Sequence, residues 1–323
     1  MSTLLLSQSD VASVMKMAGA IDAVEEAFRA TARGEALMPS KVYLDVEGVG
    51  DFRAMPALMG DSAGVKWVNS HPENPMKHKL PTVMGLYVLS DPDSALPLAV
   101  MDATLLTALR TGAASAVASR WMSRTLTDEP TLGIIGCGVQ AHYVLEAHRV
   151  LWPDLRCVVY DVDRDRGMAF AEAHGAMFAE ARAACQADIV CTVTPVRKPV
   201  VESIWIRPGT HINALGADAE GKQEIESTVL SRARVFVDDR EQAAHSGEIN
   251  VPLHKHAWAL TSLSGTLGEV VVGRVKARNS EEDITLFDST GLAVQDVALA
   301  RAIFEAAKEE GCGTSFDFQL SGS

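Results

Sequence analysis

Residues 131–161 constrain this chain more than any other stretch. They read as a short apolar strand (132–135), a glycine turn, a helical run, and a second apolar strand closing on Asp161. The turn carries Gly136, Gly138 and Ala141 at the G-x-G-x-x-A spacing of a dinucleotide fingerprint. Each position has a physical task. Gly136 permits a tight turn, Gly138 lets backbone approach a pyrophosphate with no Cβ in the way, and small Ala141 lets the new helix pack close to its strand. The helix N-terminus then offers free N–H groups and its positive dipole end to the phosphates. Asp161, 20 residues after Ala141, is placed to accept from both ribose hydroxyls. The fingerprint alone is common; the strand before it, the helix after it and the acid at that distance make it specific.

The rest of the sequence bounds the partners. A chain of 323 residues is long enough for two cores. A formal charge of −13 argues against nucleic acid or an anionic membrane surface as the main partner. The five cysteines are odd in number and contain no C-x-x-C, so neither a disulfide framework nor a metal site is indicated. Cys137, inside the glycine turn, reads as a small side chain tolerated there. No stretch approaches 18 apolar residues and no leader-like segment stands at the start, so a cytoplasmic protein is expected.

In chain order, 7–10 looks like a capped helix start and 21–33 like an amphipathic helix. Five strand-like runs follow (42–46, 51–55, 64–68, 82–89 and 98–101), with connections too short for helical crossovers, so an antiparallel sheet is expected. A helix rich in Ala and Ser (103–123) leads into the nucleotide half. There, apolar strands at 187–193, 210–216, 234–238 and 284–288 each end at a polar turn, as a doubly wound parallel sheet requires. A helix from about 291 to 308 should return to the first domain, and 319–323 read as a frayed tail. The fold class is therefore α/β: a Rossmann doubly wound, mostly parallel sheet plus a smaller α+β domain with an antiparallel sheet. Domains are expected at 1–118 with 292–323, and at 119–291.

Four cations stand where ligands are expected. Lys41, Arg53 and Lys66 fall in the first sheet at positions whose alternation allows inward-facing groups, and Arg110 lies on the connecting helix. Singly each reads as a surface charge. Together, beside a nicotinamide site, they suggest a pocket for a carboxylate, which Arg grips as a bidentate fork. Asp218, in the loop leaving the strand at 210–215, is either a general base at the crevice or an acid ordering its own turn.

With these segments in hand the chain resembles the ornithine cyclodeaminase and μ-crystallin family over essentially its whole length, and within it the archaeal-type alanine dehydrogenases. The matching stretches include Lys41-Val-Tyr-Leu44, Arg53-Ala-Met-Pro56, Gly64-Val-Lys66-Trp-Val-Asn-Ser-His-Pro72, Leu109-Arg110-Thr-Gly-Ala113, Asn213-Ala-Leu-Gly-Ala-Asp218, Gly221-Lys222-Gln-Glu224 and Phe287-Asp-Ser-Thr-Gly-Leu292. The resemblance implies that Arg53, Lys66 and Arg110 hold the substrate carboxylate and that Lys41 lines the same pocket. It assigns Asp218 as acid/base, with Lys66 in the catalytic set. Thr111, Gly138, Val139, Gln140, Asp161, Thr194, Lys222 and Ser289 would touch NAD, alongside Gly136 of the turn, and Arg110 would also serve the cofactor. It further implies a homodimer joined through the β-rich domain. The cyclodeaminases carry a longer C-terminal segment than this chain, which favours the dehydrogenase branch.

The expected activity is NAD-dependent oxidation of a small L-amino acid, L-alanine to pyruvate and ammonia, by hydride transfer from Cα to the nicotinamide. The alternatives are cyclodeamination of L-ornithine to proline with NAD recycled, ketimine reduction, and non-catalytic binding of a small ligand. Asp161 points to NAD over NADP, with Arg164 and Arg166 just beyond it as the residues that could pair with a 2′-phosphate.

Overall fold

The computed structural model describes residues 2–318; the tail expected at 319–323 lies outside them. The chain divides into two compact units, residues 1–110 with 292–323 and residues 111–291. The first division falls at Arg110/Thr111, within the helix Ala103–Met122, rather than at 118/119.

The first unit is built on an eight-stranded sheet in the order Thr314–Phe316, Thr3–Leu6, Pro97–Asp102, Val83–Ser90, Ser62–Ser70, Gly50–Met59 and Ala36–Leu37, with Val42–Val46 also paired to Gly50–Met59. All its pairs are antiparallel except one. The five expected strands pair antiparallel, and Thr3–Leu6, which was not among them, adds a parallel pair with Pro97–Asp102. Thr3-Leu-Leu-Leu6 has no alternation to mark it as a strand, and the long connection between these partners, helices included, removes the short-loop argument. Strand alternation then sorts the two faces. On one face Met55, Lys66, Tyr87 and Met101 stand in register across four strands, with Arg53 two residues from Met55. This face is covered by the helix Ala293–Glu310, which packs on Gly50–Met59 and Ser62–Ser70 and on the helix Met17–Arg33. Met17–Arg33 presents Ile21, Val24 and Phe28 inward, as the periodicity of 21–33 predicts. The opposite face carries Val42, Trp67 and Leu86 in one cross-strand row, all exposed, with Leu44 beside them and Phe52 stacked on Trp67 at 5.5 Å. An open apolar sheet face of this kind is a surface built to be covered.

The second unit is a parallel sheet in the order Met177–Phe178, Arg156–Tyr160, Thr131–Ile135, Ile189–Thr192, His211–Ala214, Ile284–Asp288, Ala233–Val237 and Gly265–Thr266. Helices Val139–Leu151 and Arg164–His174 make the first two crossovers. One apolar cluster gathers Leu132, Ile134, Val144, Leu145, Val159 and Phe170, and a second gathers Ile135, Ile212, Val235, Val237 and Leu286. The strand order reverses between Thr131–Ile135 and Ile189–Thr192. That reversal is the topological switch point, and in an open α/β sheet the ligand crevice lies outside the carboxyl ends of the strands there. Among the described residues no helix is long and apolar enough to cross a membrane.

Candidate functional site

The glycine turn sits at that switch point. Gly136 has φ +99°, a conformation that L side chains rarely adopt, and a Cβ there would lie 2.8 Å from the Thr194 methyl and 3.0 Å from the Val193 carbonyl. The helix Val139–Leu151 begins at Gly138 with no side chain capping it. A Cβ on Gly138 would meet no protein atom within 4 Å, so this glycine leaves room for something other than the protein's own packing. Beside it, the side-chain oxygen of Gln140 is buried with no hydrogen-bond partner. An uncapped helix N-terminus with free N–H groups and an open approach to its backbone fit the pyrophosphate of a dinucleotide, while the Gln140 oxygen, an acceptor, is left for a donor group. Cys137 is buried, and burial followed by the nearby Asp161 pushes its thiol up to about 12, so it remains a neutral side chain of the turn.

Asp161 departs from the simple expectation. Its Oδ2 accepts from Cys137 N at 2.7 Å and Arg166 Nε at 3.0 Å; its Oδ1 accepts from Asp163 N at 2.8 Å and an Arg166 terminal nitrogen at 2.7 Å. Burial alone would raise this carboxyl, but the Arg166 fork and the two backbone donors hold it below its usual range. The acid expected to accept from ribose hydroxyls is therefore already engaged by four protein donors. Arg166, whose side chain is half exposed, supplies two of them. The companion Arg164 instead stacks over Phe178 at 5.4 Å.

Further along the same sheet edge, Asp218 and Lys222 form an ion pair one helical turn apart in sequence. Ser289 is buried, donates its N–H to the Ala214 carbonyl at 3.0 Å, and begins a segment clamped by Asp238, which accepts from Thr290 N at 2.6 Å and Gly291 N at 2.8 Å. Thr194 follows the Ile189–Thr192 strand, and Thr111, also buried, opens the second unit's share of the helix Ala103–Met122. Val139, the first residue of the helix after the glycine turn, is exposed.

In the first unit two of the four cations, Lys66 and Arg110, meet at an acid that sequence reasoning missed. Lys66 is fully buried; its Nζ donates to Asp296 Oδ1 at 2.9 Å and lies 2.8 Å from Oδ2. Arg110 Nε lies 3.4 Å from the same carboxylate, which is itself fully buried. Burial, then Arg110 and Lys41, pull the Lys66 ammonium down against the pull of Asp296, to about 7. A buried lysine at such a value can gain or lose a proton near neutrality. Arg53 is forked by its neighbour Asp51, Nε to Oδ1 at 2.8 Å and a terminal nitrogen to Oδ2 at 2.9 Å, and stands over the Tyr43 ring at 5.5 Å. Lys41 stands just before the strand Val42–Val46 rather than within it, half-buried, and contributes its charge to the field at Lys66. The signal for Asp296 was available: it is a lone acid in the apolar run 292–300.

A parallel sheet with this switch point, turn and uncapped helix defines a dinucleotide-binding Rossmann unit joined to an α+β unit carrying buried cations. The chain belongs to the ornithine cyclodeaminase/mu-crystallin family, whose profile matches residues 1–311. It is 47% identical over 323 aligned residues to the alanine dehydrogenase of Archaeoglobus fulgidus, covering 98% of this chain and 99% of that protein. The solved structure of an archaeal alanine dehydrogenase dimer with bound NAD superposes with a TM-score of 0.94 at 47% identity, over 99% of this chain and 100% of that one. The Thermococcus litoralis Δ1-pyrroline-2-carboxylate reductase, solved with NADH and L-proline, is 35% identical with a TM-score of 0.90 over 97% and 99% of the two chains.

Proposed function

We propose that this protein is an NAD-dependent amino-acid dehydrogenase that oxidises L-alanine to pyruvate and ammonia. The observation that carries the reading is the buried Lys66–Asp296–Arg110 cluster on the inner sheet face of a chain alike, end to end, to an alanine dehydrogenase. Two cations share a single carboxylate there, so the cluster keeps one net positive charge for an incoming substrate carboxylate while Lys66 is charged. Arg53 adds a guanidinium whose orientation is fixed by Asp51. In the second unit Gly136, Gly138, Val139 and Gln140 would cradle the pyrophosphate, Asp161 would stand at the adenosine ribose with Arg166 already on its carboxylate, and Thr111, Thr194, Lys222 and Ser289 would complete the cofactor's surroundings. When bound, NAD accepts the hydride from the substrate Cα.

The residues of this chain do the rest. Arg53, Lys66 and Arg110 fix the carboxylate and so orient the Cα–H bond. Asp218 takes a proton from the water that attacks the iminium carbon, and its charge favours that cationic centre over the neutral-amine ground state. Lys222, paired with Asp218, directs its carboxylate. The open apolar face of Val42, Leu44, Trp67 and Leu86 is covered by the same face of a second copy, giving a homodimer. The likeness to a pyrroline-carboxylate reductase supports imino-acid reduction as the second reading, since it is the same hydride step run in reverse.

The deciding experiment incubates the protein with NAD and either L-alanine or L-ornithine, following NADH absorbance and proline. NADH with alanine and no proline with ornithine is the expected result. Proline from ornithine without net NADH would replace this reading with cyclodeamination.

A further inference from the structure

We propose that Glu224 is a positioning residue that sets the geometry of the cofactor-side strand ends. It ties the segment carrying Thr194 to the segment that leads into Asp218. The proposal rests on the cofactor reading above in one respect, that Thr194 and the loop after Gly216 face NAD.

Glu224 is completely buried and no cation pairs with it among the described residues. Its two oxygens instead receive four donors from two strand ends. Oε1 accepts from the Thr194 backbone N–H and hydroxyl, each at 2.7 Å; Oε2 accepts from the Thr192 hydroxyl and the Gly216 N–H, each at 2.7 Å. An ionised carboxylate has about four lone-pair sites and no donor, so four donors match its full acceptor capacity. Burial raises the Glu224 pKa, while the hydroxyl and N–H donors of Thr194, Thr192 and Gly216 oppose that rise. The strand ends are also as close as backbone allows. A Cβ on Gly216 would run into the Thr194 carbonyl oxygen and stand 2.7 Å from the Glu224 carboxyl. Glu224 is in turn fixed through its own backbone: Glu248 accepts from Glu224 N at 2.9 Å and from Ile225 N at 2.7 Å.

The consequence is directional. Thr194 turns its hydroxyl to Glu224 and its methyl to Gly136, the first glycine of the turn. Gly216 stands two residues before Asp218. Releasing the carboxylate therefore frees both the wall of the nicotinamide end and the root of the catalytic loop. An uncharged amide cannot replace it, because its NH2 group faces donors where the second oxygen stood.

The test is Glu224→Gln, with Thr192→Val as the second variant. Thr192→Val keeps the branched shape and removes one donor from Oε2 on a residue outside the cofactor set. Melting and circular dichroism establish that each variant is folded, and NADH affinity is read by fluorescence titration, which needs no substrate. Folded Glu224→Gln should bind NADH about tenfold or more weakly, and Thr192→Val about threefold or more weakly, from the loss of charge-assisted hydrogen bonds. A carboxylate that only stabilised the fold would lower the melting temperature and leave the affinity of the folded protein unchanged; that result in either variant overturns the proposal. If Glu224→Gln does not fold, Thr192→Val decides alone. Failure of the unaltered protein to bind NADH would overturn the cofactor reading, and the proposal with it.

Discussion

Replacing Asp296 by Asn tests whether the buried cations are organised by that carboxylate. In the folded protein Asp296 is fully buried, with Lys66 Nζ at 2.8–2.9 Å and Arg110 Nε at 3.4 Å. Asn keeps the shape and removes the charge, leaving two buried cations facing each other. Breaking a buried pair from one side costs about 3–5 kcal/mol, because the remaining charge is uncompensated. For a chain of this length, unfolding as one transition, 4 kcal/mol lowers the melting temperature by about 6 °C; if the smaller unit melts alone the drop is larger. The pH dependence has a definite sign. Lys66 is held at about 7 in the folded protein against an ordinary lysine value of 10.5, so between those pH values the unfolded state binds more protons and the Lys66 contribution to stability rises with pH. Losing Asp296, which raises the Lys66 pKa, pushes that value lower still. The penalty of Asp296→Asn is therefore greatest near pH 6, where the unaltered protein keeps a charged pair, and shrinks above pH 7 as Lys66 becomes neutral in both. Adding Lys66→Met to Asp296→Asn should recover part of the loss, since it removes a cation left without its partner. Calorimetric melts from pH 6 to pH 9, with kcat/KM for the preferred amino acid, make the measurement. A loss under 1 kcal/mol at pH 6 with normal turnover would show that Asp296 does not organise this cluster.

Asp218→Asn keeps the size of the side chain and removes its basicity, and should cut kcat by roughly 10²–10⁴ with NADH affinity nearly intact; turnover within about threefold of the unaltered enzyme would make Asp218 only the acid of its own turn. Arg166→Ala uncaps the Asp161 carboxylate, so calorimetry should show NADP binding weakened relative to NAD. An unchanged NAD/NADP ratio would mean that Arg166 has no part in the choice. Trp67→Glu with Leu86→Glu places charge on the open sheet face and should yield a monomer in sedimentation velocity; a dimer surviving both changes would put the interface elsewhere.

What the sequence revealed and what it hid differ by range. The glycine turn, its flanking strands and the helix after it are contiguous, so period and spacing place them, and the strand at 131–135 lies where the apolar run puts it. The small sheet was legible as strands because Gly, Pro and Asp punctuate it, yet its parallel member was not. Thr3–Leu6 finds its partner more than ninety residues later, and nothing local records that pairing. The inward cations were visible in the alternation around Lys66 and Arg53. Their acids were visible only as residues: Asp51 is two positions from Arg53, but Asp296 reaches Lys66 across 230 positions.

The hidden partners share one physical property, and it separates them from the residues that spacing could find. Gly138 and Gln140 are left open by their own structure, Gly138 towards empty space and Gln140 at a buried oxygen, and both sit in a contiguous motif that spacing can find. Asp296 and Glu224 are engaged instead by other parts of the protein, Asp296 by Lys66 and Glu224 by four donors from two strand ends. Their identity answers to a three-dimensional neighbour, so a charge required by a cation or by four N–H and O–H donors looks in sequence like any other charge. The lone acid in an apolar helix is the exception that can be read in advance. A carboxylate on a buried face costs several kcal/mol unless something pairs with it, so a lone acid in the apolar run 292–300 is a signal for a buried cation that can be read without the fold.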